Sequence, residues 1–146
     1  MIVKKSQIND IPDLIVLAKE FLDESKWDWT FSEANSMQSF YTGVTHPDCA
    51  VFHVEQDGKI LGFCAVSFEN DFYVERQGDI IEFYISKPLR GTQAARMLLK
   101  EVCDWFDKNE CKNVFVKALG NIGEDGAFVN LFSKFGFKVF SQVLVR

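Results

Sequence analysis

Apolar residues change their spacing several times along the chain, and each change predicts a new element. Ile2 to Lys5 is predicted to form a short first strand. From Ile11 to Leu22 the apolar residues follow the 3.6-residue period of an amphipathic helix. A second helix is predicted to begin near Ser32 and to end before Gly43, after which the pattern becomes that of strands.

Two strands are predicted at Ala50–Glu55 and Lys59–Phe68. The dipeptide Asp57-Gly58 between them predicts a hairpin turn, because both residues accept positive φ angles. Apolar side chains occupy both faces of the second strand, which is typical of a central strand. A polar connection from Glu69 to Gly78 then leads to another buried strand, Ile80 to Ile85.

The strand ending at Ile85 is followed by a second strongly amphipathic helix. Its apolar face consists of Ala95, Leu98, Leu99, Val102, Cys103 and Phe106. A strand predicted at Val114–Ala118 completes a βαβ crossover, so the two strands should be parallel, with a ligand crevice at their carboxyl ends. A short helix from Phe128 to Phe135 and a closing strand from Phe137 to Val145 end the chain. We therefore expect a single α/β domain over residues 1–146.

Positive charge gathers where the central helix begins. No acidic residue occurs from Phe83 through Lys100, although the chain carries a net charge of −5. The basic residues of this segment are Lys87, Arg90, Arg96 and Lys100. A helix N-terminus normally attracts carboxylates, so cations at this place favour a bound anion such as a phosphate. The alternative is an ordinary basic turn beside a core helix.

At this turn the sequence resembles the GCN5-related N-acetyltransferase (GNAT) family, whose signature is Arg/Gln-x-x-Gly-x-Gly/Ala after the fourth strand. Arg90 stands at the leading Arg/Gln and Ala95 at the final Gly/Ala. Gln93 replaces the first Gly, which could crowd a pyrophosphate unless the backbone is helical there and the side chain points away. The order of the predicted elements extends the resemblance over nearly the whole chain.

The resemblance implies a mixed, mostly antiparallel central sheet of six or seven strands flanked by about four helices, with a splayed parallel pair at the cofactor site. It also implies acetyl-coenzyme A as the cofactor, held by the end of the fourth strand, the following turn and the last helix. The implied cofactor-binding residues are Phe83, Tyr84, Ile85, Lys87, Arg90, Gly91, Thr92, Gln93, Ala94, Ala95, Arg96, Asn121 and Phe132. Asp125 is the alternative to Asn121. Phe132 stands where the family commonly has a Tyr that protonates the leaving thiolate.

In the family, the first two helices and their connection form one wall of the acceptor site. The predicted substrate-binding residues are therefore Trp27, Trp29 and Phe31 from this connection, together with Tyr84. Five acidic residues, Glu20, Asp23, Glu24, Asp28 and Glu33, lie in the same stretch, and acids beside aromatic rings suit a cationic amine. The alternative is a solvated acidic surface over an aromatic core.

Glu82 is the candidate catalytic base, because it is the only acid within the apolar segment Ile80–Ile85 and burial there would raise its pKa. The alternative is an edge-facing, solvated Glu. The family resemblance assigns the Ile85 amide to the thioester oxygen. No Cys or Ser acyl intermediate is needed, so we expect direct transfer to a primary amine in a ternary complex.

Composition narrows the function further. A net charge of −5 argues against a general nucleic-acid binder, and no apolar segment has the length of a membrane span. The four Cys show no C-x-x-C spacing and there are only two His, so we expect no metal site. We expect a cytoplasmic protein whose exposed final strand can pair with a second copy.

Two other functions remain open at this point. A GNAT-fold protein could bind coenzyme A or a protein partner with weak or no catalysis, which the substitutions at Gln93 and Phe132 would suit. A small α/β interaction module could instead contact a partner's phosphates through the basic turn. The acceptor amine could be a polyamine, an aminoglycoside-like compound, a protein N-terminus or a lysine.

Overall fold

A computed structural model of the chain describes residues 1–25, 27–117, 126–140, 144 and 146. The strands are β1 (Ile2–Lys5), β2 (Cys49–Gln56), β3 (Lys59–Glu69), β4 (Arg76–Ile85) and β5 (Cys111–Val116). The helices are α1 (Ile11–Glu24), α2 (Glu33–Thr45), α3 (Ala94–Lys108) and α4 (Ala127–Ser133), with short 3-10 turns at Ile8–Asp10 and Lys87–Leu89. No helix within these described ranges combines the length and the apolar composition needed to cross a membrane.

The five strands form one sheet in the order β1-β2-β3-β4-β5. Neighbouring strands are antiparallel except β4 and β5, which are parallel, so the predicted mixed and mostly antiparallel sheet is confirmed. Asp57 and Gly58 have φ angles of 52° and 75°, as the hairpin turn requires. The chain extends from β4 to β5 through α3, which is the predicted crossover.

The number of strands and some bounds differ from the prediction. The described residues contain five strands rather than six or seven, and β5 begins at Cys111, three positions before Val114. Residues 137–140 form no strand, and most of the remaining predicted closing strand lies outside the described residues. Val139 is 87% exposed and Phe140 80% exposed. Alternating apolar residues predict a strand only when one face is covered, and here the side chains are not covered.

The sheet has a hydrophobic core on each face. One face is covered by α3 and α4, with Leu98, Leu99, Val102 and Phe106 of α3 buried against the strands. The other face is covered by α1 and α2, whose buried residues include Leu14 and Phe40. The apolar faces that the sequence predicts for α1 and α3 are therefore the faces that these helices bury.

Halfway along β4 the sheet opens. The parallel pairing of β4 with β5 ends at Ile80 opposite Val116. Next to this point the β3–β4 register shifts, because Ala65 pairs with Glu82 while Val66 pairs with Ile80, which leaves Ile81 as a bulge. Val116 is the last residue of β5, so residues 81–85 of β4 have no β5 partner among the described residues. This unpaired edge of β4, next to the bulge, borders the crevice at which the candidate site lies.

Candidate active site

A cavity of about 940 Å³ lies between the α1–α2 region and the middle of β4. Its walls come from α1, α2, the segment connecting them, the centre of the sheet and Phe128 of α4. The aromatic lining residues are Phe21, Trp27, Trp29, Phe31, Phe40, Phe63, Phe83 and Phe128. The cavity continues to Val116 and Lys117 at the end of β5, beside the part of β4 that the described β5 does not pair with.

Three of the four predicted substrate-binding residues line this cavity, namely Trp27, Trp29 and Phe31. The rings of Trp27 and Trp29 are stacked, with centroids 4.7 Å apart and planes at 15°. This pair forms an aromatic wall on the connection between α1 and α2.

Tyr84, the fourth predicted substrate-binding residue, lies below the cavity and does not line it. Its side chain is buried at 2% exposure. The phenol oxygen lies 2.9 Å from Glu20 Oε1 and 2.5 Å from Glu24 Oε1. Burial and these two carboxylates raise the pKa of Tyr84 far above its ordinary value, so the phenol stays protonated as a hydrogen-bond donor. Tyr84 therefore joins β4 to α1.

Glu82 follows the bulge directly, and its side chain lines the cavity. It is the only carboxylate among the described lining residues, and Lys117 is the only cation. Burial raises the pKa of Glu82 above its ordinary value. A carboxylate with a raised pKa binds a proton more readily, which suits a general base.

The predicted acidic wall is not present at the cavity. Glu20 and Glu24 both accept a hydrogen bond from the Tyr84 hydroxyl, and Glu20 also accepts one from the Ser86 hydroxyl at 3.1 Å. Asp23 pairs with Lys19 on the surface at 3.2 Å. Asp28 and Glu33 do not line the cavity either. The sequence placed these acids near the site but could not show which way they point.

Arg90 is held by the protein itself. Its Nε donates to the Ile85 carbonyl oxygen at 2.9 Å, and its Nη2 donates to Glu24 Oε2 at 2.6 Å. Burial opposes ionisation of Glu24, but hydrogen bonds from Tyr84 and Arg90 together with the charges of Arg90 and Lys87 outweigh it and lower the pKa of Glu24. Arg90 thus connects the turn after β4 to the end of α1.

The turn between Arg90 and α3 leaves its backbone open. Gly91 has a φ of +78°, and an added Cβ there would meet no atom within 4 Å. The backbone of Gln93 is helical and its side chain is exposed, so the helical backbone that the sequence required of this residue is present. Thr92 Oγ1 accepts the Ala94 amide at 3.2 Å. The Met97 amide donates to the Gln93 carbonyl oxygen. The Ala95 and Arg96 amides come before this bond, so they have no carbonyl partner within the helix.

The backbone of β4 directs one amide towards the crevice. The Ser86 amide donates to the Leu61 carbonyl oxygen, on the β3 side. Because amides alternate between the two edges of a strand, the Ile85 amide points to the other side, where β4 has no β5 partner among the described residues.

Phe132, at the position of the family's Tyr, is buried at 2% exposure and does not line the cavity. Its ring packs on Phe83 and Phe128, with centroids 5.3 and 4.3 Å away. Phe132 therefore holds α4 against β4. Asn121 and its alternative Asp125 lie outside the described residues.

Sequence reasoning missed the polar face of α2. Four hydroxyl residues of this helix and its cap line the cavity, namely Ser32, Ser36, Ser39 and Thr42. Their spacing of four, three and three residues is that of one helical face. This spacing is the sequence signal from which the polar face could have been predicted. Phe40 is the only buried residue of the helix.

Comparison with known proteins agrees with this architecture. The family model described as Acetyltransferase (GNAT) family matches residues 11–137. No curated protein matches the sequence.

Several solved structures share the fold. A predicted acetyltransferase with acetyl-CoA from Clostridium acetobutylicum has a TM-score of 0.81 at 16% identity, over 99% of this chain and 94% of that chain. An aminoglycoside 6'-N-acetyltransferase from Acinetobacter haemolyticus has a TM-score of 0.78 at 15% identity, over 100% and 97% of the two chains. Glucosamine-6-phosphate N-acetyltransferase from Arabidopsis thaliana has a TM-score of 0.77 at 18% identity, over 99% and 96%. At these identities the likeness concerns the fold alone.

Proposed function

Because the chain belongs to the GNAT family of acetyltransferases, we propose that it transfers an acetyl group from acetyl-coenzyme A to a primary amine. Transfer takes place directly within a ternary complex. The observation that carries this proposal is the position of Glu82, a half-buried carboxylate of raised pKa that faces the cavity beside the β4 bulge.

The crevice and the turn fit coenzyme A. Beyond Ile80, β4 has no β5 partner among the described residues, so the Ile85 amide is not used in sheet pairing, and Gly91 leaves open space where a phosphate can approach the backbone. The first turn of α3 contains no acidic residue and adds its unpaired amides and its dipole. Bound acetyl-coenzyme A supplies the acetyl group as a reactive thioester.

The residues around the cavity have separate roles in the proposed reaction. Glu82 accepts the proton that the amine loses when it attacks the acetyl carbon. The Ile85 amide donates a hydrogen bond to the acetyl carbonyl oxygen and stabilises the charge that develops there. Trp27, Trp29 and Phe31 hold the acceptor against the aromatic side of the cavity. Phe132 has no hydroxyl, so it cannot act as the acid at the position of the family's Tyr, and water or no acid at all would serve the leaving thiolate.

Calorimetry with acetyl-coenzyme A, followed by turnover on a panel of amines, tests the proposal. Micromolar binding together with an acetylated amine identified by mass spectrometry is the expected result. Binding without turnover on any amine would leave a coenzyme A-binding protein without the proposed activity. Absence of binding would overturn the cofactor assignment as well.

A further inference from the structure

We infer that the acceptor is a monoamine whose body is uncharged and combines an apolar face with hydroxyl groups. This inference rests on the proposed acetyl transfer. It names the class of amine that the cavity admits, which the acetyltransferase assignment leaves open.

Charge is scarce along the cavity. Among the described lining residues, Glu82 is the only carboxylate and Lys117 the only cation. Lys117 lies at the β5 end, next to Asp79, whose pKa it acts to lower against the effect of burial. One carboxylate can compensate one ammonium group, and in the proposed reaction that group is the amine to be acetylated.

The nearby acids Glu20 and Glu24 do not line the cavity, and both are already engaged by neighbouring side chains. Glu24 joins Tyr84 and Arg90, and Glu20 joins Tyr84 and Ser86. A polyamine or aminoglycoside would place further ammonium groups among apolar and hydroxyl side chains. Removing a charge from water without a partner is costly, so the cavity discriminates against such acceptors.

The residues of α2 that line the cavity are polar but uncharged. Ser36, Ser39 and Thr42 face the cavity, and none of these hydroxyls makes a hydrogen bond to another described residue. Asn35 and Gln38 add amide groups to the same lining. Ser and Thr are weak helix formers, and α2 buries only Phe40, so packing does not account for this face. Such groups pair with hydroxyls of a neutral ligand.

Aromatic residues of the same lining supply an apolar surface. The stacked rings of Trp27 and Trp29, together with Phe31 and Phe21, offer flat surface without charge. A ligand that combines a hydrocarbon or aromatic face with hydroxyl groups satisfies both parts of the lining. Lys117, the only cation among the described lining residues, lies next to Asp79, which competes with a phosphate for it, so phosphorylated amines are disfavoured.

Two matched pairs of amines test the inference. The pair 5-amino-1-pentanol and 1,5-diaminopentane differs only in a terminal hydroxyl or amine, and glucosamine differs from glucosamine 6-phosphate only by the phosphate. At saturating acetyl-coenzyme A, kcat/KM is expected to be about tenfold or more higher for the uncharged member of each pair. Equal or higher values for the charged members would overturn the inference while leaving the acetyltransferase proposal intact.

A charge introduced on α2 provides a second test. Ser39→Asp places a carboxylate on the cavity face and should raise kcat/KM for 1,5-diaminopentane relative to 5-amino-1-pentanol by about fivefold or more. Ala34→Asp makes the same charge change at an exposed position of α2 that does not line the cavity, and should leave that ratio unchanged. An unchanged ratio in Ser39→Asp would mean that α2 does not face the acceptor.

The two proposals can fail separately. If no amine is acetylated although acetyl-coenzyme A binds, the proposed function fails. Calorimetric binding of the same two pairs to protein saturated with coenzyme A then decides the inference. Tighter binding of the uncharged members would support it, and equal or weaker binding would overturn it.

Discussion

The Arg90 guanidinium and the Glu24 carboxylate lie 2.6 Å apart, joining the turn after β4 to the last residue of α1. The side chain of Glu24 is 16% exposed and that of Arg90 is 39% exposed, so the pair is partly shielded from water. Arg90 also donates a hydrogen bond to the Ile85 carbonyl oxygen. This bond and the ion pair with Glu24 together fix the path of the turn. The cofactor side and the acceptor side of the site therefore meet at one ion pair.

Loss of this pair should cost stability. Arg90→Met leaves the Glu24 carboxylate without its cation, and the free energy of unfolding is expected to fall by about 1–3 kcal/mol. Lys19→Met removes the exposed pair with Asp23 and should change that free energy by less than about 0.5 kcal/mol. Urea denaturation of the two variants measures the difference. Equal losses would mean that the Arg90 pair contributes no more than a surface contact.

The same pair should influence cofactor affinity through the shape of the turn. Arg90→Met and Glu24→Met are both expected to weaken acetyl-coenzyme A binding, each by roughly fivefold for about 1 kcal/mol of lost order in the turn. Calorimetry distinguishes this from a direct contact between Arg90 and a phosphate. In that case Glu24→Met would free the guanidinium, and affinity would stay the same or increase.

Gly91 should be required for binding as well as for folding. Ala at a φ of +78° is strained, so Gly91→Ala is expected to lower the free energy of unfolding by about 1–2 kcal/mol. Its new methyl group would also occupy the open space beside the α3 amides and weaken acetyl-coenzyme A binding. Thermal unfolding and calorimetry give the two quantities.

Gly58 supplies the matched control for Gly91. It has a φ of +75°, and an added Cβ there would likewise meet no atom within 4 Å, but it lies in the β2–β3 hairpin. Gly58→Ala should therefore show a similar loss of stability with unchanged affinity for acetyl-coenzyme A. A Gly91→Ala protein that binds as tightly as Gly58→Ala would place the phosphates elsewhere.

The sequence predicted the elements whose signals are local or periodic. Asp57-Gly58 specified its own turn, and the apolar face of α3 identified the helix that covers the sheet. The closing strand at 137–145 is different, because alternation indicates that two faces differ but not that a neighbouring strand pairs with this one. The described residues 137–140 form no strand, and of these only Phe137 packs against the core while 138–140 are exposed.

For the candidate site, the sequence indicated which residues lie near the cavity better than it indicated where their side chains point. Glu82, Trp27, Trp29 and Phe31 all line the cavity. Arg90, in contrast, turns to a carboxylate 66 positions away in the chain, a partner that no local pattern reveals. The hydroxyl face of α2 escaped notice because Ser and Thr also suit a solvated helix surface, and only the cavity distinguishes the two.

Acid should weaken the junction of β1 and β2. Glu55 accepts a hydrogen bond from His53 Nε2 at 2.9 Å and pairs with Lys4 at 3.1 Å, and these contacts lower the pKa of Glu55. A lowered pKa in the folded state stabilises the protein above the unfolded pKa of about 4.3, and that stability is lost as the pH falls through the folded pKa. Urea denaturation between about pH 5.5 and pH 3 should show this loss, and a flatter curve for Glu55→Gln.

The control for Glu55 is Glu69→Gln, at the exposed end of β3. Because Glu69 is exposed and its carboxylate makes no hydrogen bond or ion pair with the described residues, its variant should keep the pH dependence of the unmodified protein. Parallel curves for Glu55→Gln and the unmodified protein would show that the His53 and Lys4 contacts do not stabilise the ionised carboxylate.

The role of Glu82 can be separated from its general electrostatic effect by comparing it with Asp79. Both acids lie on β4 and burial raises the pKa of each, but only Glu82 lines the cavity. As a base, Glu82 must be ionised, so kcat/KM should rise as the pH increases through its raised pKa. Glu82→Gln is expected to lower kcat by about 10²- to 10⁴-fold, to abolish this acidic limb and to leave acetyl-coenzyme A affinity intact. Asp79→Asn should keep both kcat and the acidic limb of the pH profile of kcat/KM. An unaltered acidic limb in Glu82→Gln would assign the base to another group.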